Sequence, residues 1–321
     1  MLAISIGNFD GVHVGHAALI AAARQEVGIQ IGKGVREGGR VVAVTFEPHP
    51  VARLRPEAAP PRLSSSAERQ RLLREAGADE VMELDPSPQL LSLGPEEFTR
   101  TLRERIPFTW IIEGDDFRFG RGRAGSVGSL RELGKAMGFG VREVAPVDVT
   151  LSDQTVVRAS SSMVRWLLQL GRVRDAARVL GRPYELVSVT VPGDRRGRTI
   201  GFPTLNCGPL DQMLPMDGVY GGTATLPNGQ QAVAAISVGT KPTFQRPGNP
   251  TGRTCEAYLL DTHLPLDWYG VNLRLSFVTW IREQRTFASL DGLLDRIRAD
   301  VEEIRVRAAF AEGRHAVGAN A

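Results

Sequence analysis

Cysteine is scarce in this sequence. Its 321 residues hold two, Cys207 and Cys255. Neither lies in a CxxC pair or a Cys/His cluster, so a disulfide framework is excluded and reduced thiols of a cytoplasmic protein are expected, a single bridge between the two being the alternative. Long apolar runs are missing as well. None approaches the ~20 residues of a membrane span, and no membrane partner is expected. No basic segment followed by an apolar stretch opens the chain; Asp10 and His13 interrupt it early, which argues against a signal peptide. Charge of one sign is missing too, since 39 Lys and Arg face 36 Asp and Glu for a net +3. The sequence pI is 9.1, but this matching implies no nucleic-acid partner. A modest arginine excess is compatible with phosphorylated ligands. Internal repeats and low-complexity segments are absent.

What remains is a chain with 42% apolar residues, enough for sizeable cores. Its length fits two domains at ~100–200 residues each. In the first part, strands alternate with helices. Residues 3–7 read as a short buried strand, 17–27 as a helix, and 28–40 as a glycine-rich loop. Val41-Val42-Ala43-Val44-Thr45-Phe46 reads as a central parallel strand. Helices are expected at 67–76, 95–106 and 126–137, and strands at 109–112 and 141–144. This alternation predicts a doubly wound parallel sheet covered on both faces. The texture changes at Gly181-Arg182-Pro183. From there to about residue 281, strand and turn signals predict a small antiparallel β-barrel. Val271, Leu273, Leu275 and Phe277 alternate with Asn272, Arg274 and Ser276. Helical period returns at 290–307, and a disordered tail is expected from 311.

Three stretches carry chemistry. Residues 193–206 read GDRRGRTIGFPTLN. Glycines at 193, 197 and 201 let backbone amides approach a phosphate closely. Arg195, Arg196 and Arg198 add positive charge. Pro203 fixes φ just ahead of Thr204 and Asn206, whose oxygens are hard ligands suited to Mg²⁺, an ion that takes few protein groups plus substrate phosphates. An ordinary Gly/Pro turn between strands is the plainer reading. Residues 7–16 read GNFDGVHVGH and link the first strand to the first helix. In an open α/β sheet ligands bind there, and a helix N-terminus favours anions. His13 and His16 can donate to phosphate oxygens, and Gly15 allows the backbone to come close. Residues 158–165 read RASSSMVR. Its serines cap a helix in the plain reading, with Arg158 and Arg165 placed to reach the same anion. At two strand ends, TFEPHP (45–50) offers an aromatic face and a rigid turn, and EGDDFRFG (113–120) offers carboxylates, an arginine and two aromatics. A flat ring system could stack on these.

Taken together, these segments resemble the bacterial bifunctional riboflavin kinase/FAD synthetase family. The resemblance runs from Ile4 to about Asp300 and includes GVY at 218–220 and CEAYLLD at 255–261. It implies an FMN adenylyltransferase domain over 1–182 and a riboflavin kinase domain over 183–310, with 311–321 as tail. In the first, His13, His16 and Arg165 would hold ATP phosphates, assisted by Gly15, Arg158, Ser161 and Ser162. Phe46, Pro48, His49 and Phe117 would lie near FMN, and Asp116 near the transferring phosphates. In the second, Gly193, Asp194, Gly197 and Arg198 would bind ATP, Thr204 and Asn206 would coordinate Mg²⁺, and Glu256 would be the catalytic base. Riboflavin, FMN and ATP are the implied small-molecule partners, FAD the product, and the protein a monomer or weak homo-oligomer. The chain departs from the family pattern at Leu205, where a small residue is expected, at Asp116, where Asn is frequent, and at Ser162, where Thr is usual. The family also has a longer lead before the first strand, which here begins at residue 2.

Glu256 sits among Ala257, Tyr258, Leu259 and Leu260 on an apolar strand. A partly desolvated general base accounts for it, and so would an ion pair with Arg274 or Arg282. Two other readings of the whole chain stand beside the bifunctional enzyme. One is a single-activity nucleotidyltransferase with a vestigial barrel. The other is a flavin-binding regulator without turnover.

Overall fold

Val41-Val42-Ala43-Val44 presents no polar side chain to water, and it forms the middle of a parallel sheet with each residue at most 2% exposed. The structure, a computed structural model, describes residues 1–31, 39–193, 196–240, 252–262 and 268–318. The chain divides into two units, residues 1–150 with 156–161 and residues 151–155 with 162–321.

In the first unit the sheet strands are β1 (Leu2–Ile6), β2 (Arg40–Phe46), β3 (Glu80–Leu84), β4 (Trp110–Gly114) and β5 (Gly140–Val144). They lie in the order β3-β2-β1-β4-β5, with every pair parallel. The principal helices are α1 (Val14–Ile31), α2 (Ser66–Glu75), α3 (Pro95–Arg105) and α4 (Val127–Met137). Alternate strand residues feed two cores. Ala3, Val41, Ala43 and Ile112 pack with Ile20 and Val27 of α1 and Leu73 of α2. Ile4, Val42, Val44 and Ile111 pack with Phe98 of α3 and Leu130 of α4. Burial on both faces is why these strands carry unbroken apolar runs. Ser126 caps α4 through a 3.3 Å bond from Ser129 N, and Gly138 (φ 76) ends it in the left-handed conformation that glycine adopts without penalty. β3 has no counterpart in the sequence reading. It is an edge strand, and Glu80 and Glu83 break its apolar pattern.

The second unit has helices α5 (Ser161–Gln169, whose first residue belongs to the first unit) and α6 (Val173–Leu180). Six strands follow: β6 (Tyr184–Val191), β7 (Thr204–Cys207), β8 (Gly218–Thr225), β9 (Gln231–Thr240), β10 (Arg253–Leu259) and β11 (Asn272–Arg282). They close into an antiparallel barrel in the order β6-β7-β10-β9-β8-β11, which leaves no open sheet edge. Leu186, Ile236, Ala257, Leu275 and Phe277 fill the interior at 1% exposure or less. The turn between α5 and α6 lies against β11: a Cβ on Gly171 (φ 68) would stand 2.9 Å from the Trp280 ring. Leu168 O accepts from Met216 N at 2.8 Å. The last helix, α7, spans Leu290–Gly318. Residues 319–321 of the expected tail lie outside the described residues.

Candidate active sites

The loop after β1 is wound tightly. Phe9 (φ 47), Gly11 (φ 79) and Val12 (φ 42) all adopt the left-handed region, which costs a non-glycine residue on the order of 1–2 kcal/mol. Asp10 holds the loop in place. Its buried carboxylate accepts from Leu63 N and Ser64 N, each at 3.0 Å. Gly11 N donates to Ser64 Oγ at 3.1 Å, and Ser161 Oγ donates to Asp10 O at 2.8 Å. Chain segments from three parts of the sequence therefore meet at this turn. Helix α1 opens at Val14, and the two imidazoles stack at its start with centroids 3.6 Å apart. His13 N donates to His16 Nδ1 at 3.3 Å, and the Phe9 ring edge meets His16 at 5.1 Å. A Cβ on Gly15 would stand 3.0 Å from the His13 ring, so close packing there needs a glycine or a shifted ring.

β1 lies where the sheet order reverses between β1 and β4, the crevice at which α/β sheets bind ligands. Glu113 marks that crevice. Its carboxylate accepts from Ile6 N at 2.6 Å, where the β1–β4 ladder would otherwise continue. Glu113 is 2% exposed. Burial pushes its carboxyl well above the usual range, against the pull of the Ile6 bond, and the charge of Asp116 adds to the rise.

At the ends of β2 and β3, a buried cation ties the strands together. Arg69, with its side chain 6% exposed, contacts Glu47 at 2.8 Å and Glu83 at 3.1 Å. Arg62 also pairs with Glu47 at 2.5 Å. Burial would raise the Glu83 carboxyl, but bonds from Ser66 and Arg69 outweigh it and hold the group below its ordinary range. Just beyond, Phe46, Pro48 and His49 follow the strand, and His49 Nδ1 accepts from Val51 N at 3.1 Å. Phe117 stacks on Phe119 at 5.4 Å. Asp116 is exposed and lies 3.6 Å from Arg158, which also pairs with Asp115. Ser162 and Arg165 belong to the second unit, on α5.

In the barrel, residues 204–207 form a strand. Asn206 stands opposite Glu256, and Thr204 opposite Tyr258. Thr204 Oγ1 donates to Glu256 Oε2 at 3.2 Å. The pleat puts Thr204, Asn206 and Glu256 on the half-exposed outer face, while Leu205, Cys207, Cys255 and Ala257 are buried. Leu205 therefore points away from the face that its two neighbours share. The Cys207 thiol, with burial, pushes the Cys255 thiol well up, and both cysteines are free. A Cβ on Gly193 would stand 2.2 Å from Asn206 Nδ2, and one on Gly197 would stand 2.3 Å from Phe202 O. Both positions have no room for a side chain. Gly193, Gly197, Arg198 and residues 204–206, Leu205 included, line one cavity together with Trp268 and Tyr269. The sequence reading missed that aromatic pair, although two adjacent rings before a glycine stand out in a chain with 6% aromatics. Asp194 lies outside the described residues. Arg274 pairs with Glu185 at 2.8 Å and Arg282 with Asp300 at 2.7 Å.

Thr204 and Asn206, beside the Glu256 carboxylate, offer hard oxygen donors, which suit Mg²⁺ shared with substrate phosphates. Among the described residues no group of three His, Cys, Asp or Glu side chains is placed to hold a metal by itself, so phosphate oxygens would have to complete the shell.

A doubly wound sheet with a His-x-Gly-His turn, joined to a closed barrel with a Thr-x-Asn strand beside a glutamate, defines a two-part ATP-using transferase. The family model described as FAD synthetase matches residues 1–160, and that described as riboflavin kinase matches residues 180–308. The chain is 34% identical over 303 residues to the bifunctional riboflavin kinase/FMN adenylyltransferase of Escherichia coli (strain K12), covering 92% of this chain and 90% of that one. It is 33% identical over 306 residues to the protein so described from Pseudomonas fluorescens, covering 95% and 92%. A solved structure described as a macrolide-efflux protein from Streptococcus pneumoniae superposes with a TM-score of 0.80 at 29% identity, covering 94% of this chain and 93% of that one. The chain belongs to the bifunctional riboflavin kinase/FMN adenylyltransferase family. It phosphorylates riboflavin to FMN with ATP, then adenylylates FMN to FAD with release of pyrophosphate. Among the described residues no helix is long and apolar enough to cross a membrane.

Proposed function

We propose that the two reactions run at two separate sites, with adenylyl transfer on residues 1–182, phosphorylation on 183–310, and 311–321 as a tail. In the barrel, Glu256 accepts the proton of the terminal ribityl hydroxyl, and that oxygen attacks the γ-phosphate of ATP. Gly193, Asp194, Gly197 and Arg198 bind the nucleotide, while Thr204 and Asn206 hold Mg²⁺. The ion, when bound, neutralises phosphate charge. The observation that carries this reading is the cross-strand pairing of Asn206 with Glu256, with the Thr204 hydroxyl bonded to the same carboxylate. A carboxylate beside two neutral oxygen donors on one strand face supports the reading.

In the sheet unit, an FMN phosphate oxygen attacks the α-phosphate of ATP. No covalent intermediate is needed, because positioning and charge neutralisation supply most of the effect. His13 and His16, with Gly15 at the helix start, stabilise phosphate charge, and Arg158 and Ser161 hold the phosphates that leave. Phe46, Pro48, His49 and Phe117 receive the flavin, with Asp116 near the transferring phosphates. The protein works in the cytoplasm as a monomer or weak homo-oligomer, without nucleic acid.

The test is chromatography of products after incubation with riboflavin and Mg-ATP. The parent should yield FMN and FAD. Glu256→Gln should yield neither from riboflavin, yet make FAD from supplied FMN. FMN formation at the parent rate in that variant would overturn the base assignment.

A further inference from the structure

On the outer face of the barrel, three polar residues stand side by side on neighbouring strands. Asn206 of β7 pairs with Glu256 of β10, and Glu256 pairs with Ser237 of β9. Glu256 thus has the Thr204/Asn206 strand on one side and Ser237 on the other. Directly opposed residues of antiparallel strands lie about 4.5–5.5 Å apart at Cα, so one small molecule can touch all three.

Ser237 is a held group rather than a loose hydroxyl. Gln284 Nε2 donates to Ser237 Oγ at 2.8 Å and to Val238 O at 3.1 Å. Gly239 makes room for this, because a Cβ there would stand 3.0 Å from Gln284 Nε2. With one lone pair of Oγ occupied by the amide, the hydroxyl hydrogen points elsewhere. Among the described residues the Ser237 hydroxyl makes no other hydrogen bond. Its position is half-exposed, as is that of Glu256. An oriented donor therefore stands next to the base, open to a ligand.

The order of the row gives the substrate a direction. The phosphoryl donor belongs on the β7 side, with Thr204 and Asn206. The attacking hydroxyl belongs over Glu256. The rest of the polyol chain then extends toward β9, where its next oxygen meets Ser237. We infer that Ser237, fixed by Gln284, donates a hydrogen bond to the hydroxyl adjacent to the one phosphorylated, and so selects a polyol chain and sets the reacting oxygen over the base. The inference rests on the reading of Glu256 as that base.

A substrate-by-variant comparison tests it. The kcat/KM for phosphorylation is measured with riboflavin and with the analogue that lacks the hydroxyl next to the terminal one. Parent, Ser237→Ala, Ser237→Thr and Glu256→Gln proteins are compared, with adenylylation of supplied FMN as the integrity control. A single hydrogen bond of ~1.4 kcal/mol corresponds to about tenfold. The parent should prefer riboflavin by about tenfold. Ser237→Ala should lose about tenfold on riboflavin, little on the analogue, and so lose the preference. Ser237→Thr should keep the preference, because it restores a hydroxyl. A Ser237→Ala protein that still discriminates as the parent does would overturn the inference, even if slower on both substrates. If Glu256→Gln itself phosphorylates at the parent rate, the base reading fails. If Glu256→Gln is inactive and Ser237→Ala discriminates normally, only the role of Ser237 fails.

Discussion

The two units place their candidate chemistry on different kinds of backbone. The sheet unit uses loops at strand ends. Its His turn contains three residues at positive φ and depends on Asp10 bonds to residues more than fifty positions away. The barrel unit uses the strands themselves: Thr204, Asn206, Glu256 and Ser237 are spaced by pleat and register. A loop site depends on a few specific anchors, whereas a strand site depends on the alignment of the whole ladder. Disturbance of an anchor should therefore act locally in the first unit. In the second, single side chains can be changed with little loss of shape.

The largest test of this contrast is Glu256→Gln. The isosteric change leaves the ladder intact and removes the proposed base, so FMN formation should fall by ~10²–10⁴. FAD formation from supplied FMN should persist. Loss of both activities would show that the units do not act independently. His16→Ala makes the reciprocal test. FAD formation should fall by about 10²–10³, the usual effect of removing one preorganised charge-stabilising donor, while riboflavin phosphorylation continues.

Packing of α6 sharpens the comparison at its boundary. Val173, Val179 and Leu180 are at most 4% exposed, and the α5–α6 turn abuts Trp280. A fragment of residues 183–321 should be less stable than one of 162–321, by on the order of 5 kcal/mol for three large buried side chains. Denaturant melts of the two fragments check this, and equal midpoints would contradict it.

Arg69→Met should cost about 2 kcal/mol, less than the 3–5 seen for fully buried pairs, because Glu47 and Glu83 are about a quarter exposed. Melting of the full chain should show the loss, with adenylyl transfer weakened more than phosphorylation.

The smallest effect concerns pH. The folded Glu113 carboxyl titrates above its unfolded value, so between the two the folded chain binds the extra proton. Parent stability then falls as pH rises above the unfolded carboxylate range. Glu113→Gln keeps an acceptor for Ile6 N and has no proton to lose. The stability of Glu113→Gln relative to the parent should therefore rise between pH 5 and pH 8. A difference that does not change with pH would count against it.

Much of this architecture is legible in residue order. Alternation at 271–277 and the β-branched run at 41–46 declare their strands, since each pattern matches one buried face or two. The glycines at 193 and 197 are legible because nothing larger fits beside Asn206 and Phe202. β3 is not legible, because charged residues interrupt an edge strand. Asp10, Arg69, Glu113 and Ser237 are not legible either. Each is an ordinary polar residue until its partner is known, and for Glu113 that partner is 107 positions away.

The amino-acid order by itself determined the two textures, the His turn after the first strand, the glycine-rich basic segment, and the residue types able to handle phosphate. These depend on local period, backbone freedom and side-chain chemistry, which neighbours in sequence already specify. Only the tertiary structure decided that Asn206, Glu256 and Ser237 stand in one row, and that Thr204 shares a face with them while Leu205 does not. Strand register is the reason. A slip of one residue would send every one of those side chains to the opposite face, and what prevents the slip is the packing of the closed barrel.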